Sequence, residues 1–146
     1  MTEGEEGTKR LFVYGTLREG CYNNYLIGGA RCIGTFRTAT EDFTMLDAGG
    51  YPLVVNEGTD SIEGEIYEVE EERYTEIAGM EIAYGYMPQE IQVEDGSSAT
   101  IFVFTRFPLK ALKEDLDTIP NGDWMAAWRE KAREEDRSSG EHTKGA

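Results

Sequence analysis

The chain predicts an α+β fold: a small, mostly antiparallel β-barrel or strongly curled sheet with flanking helices. Three observations lead there. Short β-rich segments recur between Arg10 and Phe107, parted by Gly, Asp and Asn turns. The segment SIEGEIYEVE (61–70) alternates apolar and acidic residues at the period of a strand. Extended helical spacing is confined to EEERYTEIAGM and to the stretch after Pro108. With 146 residues, one domain suffices. Its expected limits are 9–136, preceded by a disordered acidic segment (1–8) and followed by a flexible tail (137–146).

Lys9–Tyr14 reads as a buried strand that breaks at Gly15. YNNYLIGGA holds a short helix ending at Gly28-Gly29. RCIGTFRTAT and DFTMLD are strands, and GGYPLVVN places a Gly-Gly turn before another. The alternation of SIEGEIYEVE slips phase at Ile66-Tyr67, which predicts a bulge or a strand buried on both faces. The next helix carries Tyr74, Ile77 and Ala78 on one side, and YMPQEIQVE with SSATIFVFTRF forms a hairpin about Asp95-Gly96. Leu109, Leu112 and Leu116 have helical spacing, Pro120-Asn121-Gly122 breaks it, and Asp123 caps a last helix. Trp124 and Trp128, four apart on that helix, read as packing anchors rather than ligand platforms.

Composition removes whole function classes. A net charge of −15 repels phosphate backbones and anionic lipids, so neither nucleic acid nor a membrane surface is an expected partner. No apolar run is long enough for a spanning helix, and the acidic N-terminus lacks a signal-peptide core, so the expected compartment is the cytoplasm. Cys21 and Cys32 make no disulfide framework, and neither lies beside a histidine in sequence. His142, the single histidine, sits in the tail, so Ser-His-Asp and Cys-His schemes lack their base and a zinc site lacks ligands. Phosphate-binding glycine motifs are absent. Chemistry is left to carboxylates, tyrosines and backbone dipoles.

Two places meet that description. The turn after the first strand, in VYGTLR, is either a plain strand end or a set of unpaired amides that bind an anion, with Gly15 permitting close approach. Glu81 lies among Ala78, Met80, Ile82 and Ala83. It is either an exposed loop residue or a carboxyl whose pKa desolvation raises toward proton-transfer use.

The order FVYGTLR, GTFRTATEDFTMLDAGGYPLVV, IEGEIYEV, a helix leading to Glu81, nearby tyrosines, ATIFVFT and IPNGDW resembles the γ-glutamylcyclotransferase-like family. That family includes γ-glutamylamine cyclotransferases and AIG2-like proteins, and the resemblance spans Arg10 to Trp128. It implies a small β-barrel with a pocket at its mouth. There, backbone groups of Tyr14, Gly15, Thr16 and Leu17 bind the γ-glutamyl moiety, and Glu81 serves as general acid/base. A pocket tyrosine falls on Tyr86, with Tyr84 as the alternative. This chain has Ile77-Ala78 where Leu-Asp is frequent, Ile82 after the glutamate where glycine is frequent, and Tyr86-Met87-Pro88 in place of Tyr-x-Arg.

The implied partner is a small-molecule γ-glutamyl substrate, and the oligomeric state is left open. The implied reaction is cyclotransferase-like, of lyase or acyltransferase type. The α-amine attacks its own γ-carbonyl, closing 5-oxoproline and expelling an amine without metal or cofactor. A non-catalytic small-molecule-binding member, or a related γ-glutamyl acyltransferase or hydrolase, is the alternative.

Overall fold

The computed structural model describes residues 7–21 and 23–145, with side chains to residue 134. Residues 1–6 of the expected N-terminal segment and the His142 side chain lie outside the described residues. In chain order the elements are β1 (Thr8–Val13), a 3-10 turn (Asn24–Ile27), β2 (Arg31–Arg37), β3 (Phe43–Asp47), β4 (Pro52–Asp60) and β5 (Glu63–Glu70). There follow α1 (Glu71–Ala83), β6 (Tyr86–Gln92), β7 (Ser98–Phe104), α2 (Leu109–Leu112), β8 (Asp117–Thr118), a second 3-10 turn (Pro120–Gly122) and α3 (Trp124–Gly145).

Five strands form one sheet in the order β2-β5-β1-β7-β6, and three form another in the order β4-β3-β8. Neighbours are antiparallel except β1 and β7, which pair in parallel at Leu11 and Thr100. The alternation of β1 explains its central place. Phe12 and Tyr14 enter one apolar cluster with Phe43, Met45 and Ile101, while Leu11 and Val13 enter another with Leu53, Ile77 and Phe102. A strand buried on both faces reads as a continuous apolar run, as RLFVY does.

The α+β class holds, but the expected barrel does not. Among the described residues, the edges of the larger sheet, β2 and β6, meet only at an isolated bridge between Thr38 and Val93, just beyond both strands. Barrel closure requires ladder pairing along every edge at a consistent stagger. Here the β2 register shifts between Cys32 and Gly34, and Pro88 in β6 offers no backbone donor. The remaining strands make a separate sheet.

The phase slip at Ile66-Tyr67 has its structural counterpart in the partner strand. The β2 shift lies opposite those two residues, while β5 itself pairs with β1 in unbroken register and is buried from Gly64 to Tyr67. The leucine-spaced helix stops at Leu112; Leu116 still packs against the core just before β8. Asp123 caps α3 as expected, its Oδ1 accepting from the Ala126 amide at 3.1 Å. Trp124 is buried and stacks at 6.1 Å on the half-exposed Trp128. The backbone of α3 continues through the segment expected to be a flexible tail, whose side chains lie outside the described residues.

Candidate active site

The turn after β1 is organised by its carbonyl groups. Gly15 O accepts from the Arg18 amide at 3.0 Å, and Thr16 O accepts from the Asn23 amide at 3.0 Å. Leu17 O accepts from Asn24 Nδ2 at 2.8 Å, and Thr16 Oγ1 from Asn23 Nδ2 at 3.0 Å. The amides of Gly15, Thr16 and Leu17 find no protein acceptor among the described residues. A turn with its acceptors engaged and its donors free has the polarity of an anion-binding concavity. The glycine has a local cause: a β-carbon at Gly15 would stand 2.7 Å from Cγ and Cδ of Pro52. Close approach to Pro52 therefore requires it, whatever ligand the turn holds.

Glu81 sits in the last turn of α1, whose amphipathic register buries Ile77 against the sheet and sets Tyr74 at 6.2 Å from the Phe102 ring. That docking turns Glu81 toward a cavity of about 500 Å³, which the turn residues Tyr14–Leu17 also line. Burial among apolar walls pushes its carboxyl up to about 7. A carboxyl at that value exchanges a proton near neutrality, as an acid/base group must.

Tyr84 and Tyr86 both line the cavity, so the two alternatives for the pocket tyrosine are both placed there. Their situations differ. Tyr86 opens β6, is buried, and donates its hydroxyl to Pro52 O at 3.1 Å while its ring meets Phe104 edge-on at 5.5 Å. Tyr84 is 70% exposed at the C-terminal end of α1. Tyr14 donates its hydroxyl to Phe102 O at 2.6 Å. Burial drives the Tyr14 and Tyr86 hydroxyls far above the usual phenol range, with the Glu81 charge adding in the same direction. Both act as neutral donors that lock the cavity wall.

Sequence reading did not single out Glu65, one of the acidic residues that alternate with apolar ones along β5. It is buried, and it ties down the residues just beyond the turn. Its carboxylate accepts from Arg18 Nε at 3.0 Å, the Glu19 amide at 2.8 Å and Tyr67 Oη at 3.1 Å. Arg18 is buried as well, and its guanidinium reaches Asp123 Oδ1 at 3.7 Å. The phase slip of β5 was the available signal, since a strand buried on both faces must bury one of its glutamates. Also missed were Asn23 and Asn24, which tether the turn, and Tyr25 and Tyr51, which border the cavity. Among the described residues, no cluster of three or more His, Cys, Asp or Glu is placed to hold a metal ion.

Comparison with known proteins bears on this arrangement. Residues 11–126 match the family model described as Gamma-glutamyl cyclotransferase, AIG2-like. The chain is 32% identical over 117 residues to the gamma-glutamylcyclotransferase family protein YtfP of Escherichia coli K12, covering 80% of this chain and 96% of that one. Among solved structures it is similar to protein PH0828 of Pyrococcus horikoshii, with a TM-score of 0.70 and 27% identity over 85% of this chain and 96% of that one. It is also similar to an AIG2-like protein of Mus musculus, with a TM-score of 0.64 and 25% identity over 80% and 88% of the two chains.

Proposed function

Because the chain belongs to the gamma-glutamyl cyclotransferase, AIG2-like family, we propose that it cyclises the γ-glutamyl group of an amide or amine substrate to 5-oxoproline and releases the amine. The observation that carries this reading is one shared cavity: Glu81, titrating at about 7, opens onto the same space as the turn with unpaired amides.

The chemistry balances without an added reactant. The ionised Glu81 takes a proton from the substrate's α-ammonium, and the freed amine attacks the γ-carbonyl carbon. A C–N bond forms and the carbonyl becomes a tetrahedral oxyanion. Glu81 gives its proton to the departing nitrogen as collapse breaks the original γ-amide bond, then takes the second proton from the ring nitrogen, leaving the neutral lactam; that proton departs with the released amine as its ammonium. The Gly15–Leu17 amides supply donors for anionic oxygen, either the substrate carboxylate or the oxyanion. Tyr14 and Tyr86 keep the enclosure rigid. Folding the substrate so that its two ends meet is the larger contribution, since effective molarities for such closures reach about 10⁵–10⁸ M.

The test is 5-oxoproline release from γ-glutamyl amines and γ-glutamyl dipeptides. Glu81→Gln should keep the fold and lower turnover by about 10²–10⁴, the usual range for a general acid/base. In the parent, kcat/KM should rise with pH through a limb centred near 7, as Glu81 loses its proton. Full turnover by the Gln variant would overturn the assignment.

A further inference from the structure

The cavity is chemically uneven. Among the described residues that line it, Glu81 is the one acidic side chain, and no lysine, arginine or histidine accompanies it. Its mouth is aromatic. Tyr25, beside the first turn, is 74% exposed; Tyr51, in the Gly-Gly turn before β4, is 46% exposed; Tyr84, after α1, is 70% exposed. A single exposed tyrosine needs no explanation, but three from separate segments bordering one opening form a patch. None of the three hydroxyls is engaged by a protein hydrogen bond among the described residues.

We propose that Tyr25, Tyr51 and Tyr84 form the leaving-group subsite, which selects amines that are aromatic or carry a second positive charge and rejects leaving groups that carry a carboxylate. This rests on the cyclotransferase reading above. With the γ-glutamyl end held between the turn and Glu81, the leaving amine extends toward the mouth. A second cation there meets tyrosine faces, whose quadrupole attracts it, and an aryl group stacks on them. A carboxylate at the same place meets no cation, lies near the Glu81 charge, and approaches a protein of net charge −15. The side chain after Met87 is Pro88, so β6 adds no basic group beside the site.

The experiment compares kcat/KM for four conjugates of the γ-glutamyl group: with diaminobutane, phenethylamine, methylamine and alanine. The diaminobutane and phenethylamine conjugates should exceed the methylamine conjugate by about 3–10-fold, the range expected of aromatic contacts at a solvent-facing site. The alanine conjugate should be the poorest. Tyr25→Ala and Tyr84→Ala should erase the advantage over methylamine mainly through KM, while Tyr84→Phe should keep it. If all four release 5-oxoproline and the alanine conjugate equals or leads the others, the subsite is overturned and the reaction stands. The subsite is likewise overturned if neither alanine variant changes the ranking. Release from none of the four overturns the reaction and the subsite together.

Discussion

Gly15 and Thr16 are neighbours with different tasks, and substitution separates them. At Gly15 any β-carbon meets the Pro52 ring at 2.7 Å, so Gly15→Val overpacks the site at a cost of about 1–3 kcal/mol and displaces the turn from the cavity. Thr16→Ala removes a hydroxyl that accepts from Asn23 Nδ2, a loss of about 1 kcal/mol, and leaves the backbone bond from Asn23 to Thr16 O in place. The KM for a γ-glutamyl amine should therefore rise much more in Gly15→Val; the opposite order would count against a backbone cradle. Glu81 adds a linkage prediction. Its carboxyl titrates at about 7 in the fold and returns to about 4.3 on unfolding. The folded state thus binds the proton more tightly, so Glu81 costs stability progressively as pH rises from the unfolded value through the folded one, and nothing below both. Urea titration should find Glu81→Gln more stable than the parent at pH 8, by about 4 kcal/mol at most, with the two converging near pH 4.

At the scale of elements, the site is a junction of the first turn, the end of α1 and the start of β6, held from behind by β5. Glu65 in β5 joins Arg18 and Glu19 to the sheet, while Pro52 at the start of β4 receives Tyr86 and crowds Gly15. Removing one partner of a buried pair strands the other, so Glu65→Ala should cost about 3–5 kcal/mol and weaken substrate binding. The double substitution Arg18→Met with Glu65→Leu removes both charges and should regain much of that stability, because apolar replacements of buried pairs are often neutral. Its KM should stay elevated, since the Glu19 amide still lacks its acceptor. Thermal melts beside steady-state kinetics separate the two effects; full recovery of KM would mean that Glu65 does not position the turn.

Across the whole molecule, the dominant feature outside the core is charge. Twenty-nine acidic and fourteen basic residues leave −15, and among the described residues several ion pairs are exposed, as between Arg73 and Glu76 or Arg133 and Glu130. Such pairs contribute little, and self-repulsion of the remaining carboxylates opposes compaction. Raising sodium chloride from about 0.01 to 0.5 M, which shortens the screening length several-fold, should therefore raise Tm at neutral pH. A fall would show that the surface pairs outweigh the repulsion. Among the described residues, no helix is long and apolar enough to cross a membrane.

Much of this was legible in the chain itself. The apolar run RLFVY determined a strand buried on both faces, Asp95-Gly96 set the β6–β7 hairpin, and the YGTLR turn with Glu81 marked two ends of one cavity. These are local signals, carried by periodicity, turn residues and the contrast between a carboxyl and its apolar neighbours. The edges of β2 and β6 stay apart beyond the Thr38–Val93 bridge, in strands that carry a register shift against β5 and an edge proline, neither of which alters the strand pattern that suggests a barrel. The burial of Glu65, the donation from Tyr86 to Pro52 and the grouping of Tyr25, Tyr51 and Tyr84 depend on which distant segments lie side by side. Sequence spacing fixes which face of an element a residue occupies. Only the packing of the sheets and α1 determines what that face meets, and so which carboxyl is paired, which amide stays free and where the cavity opens.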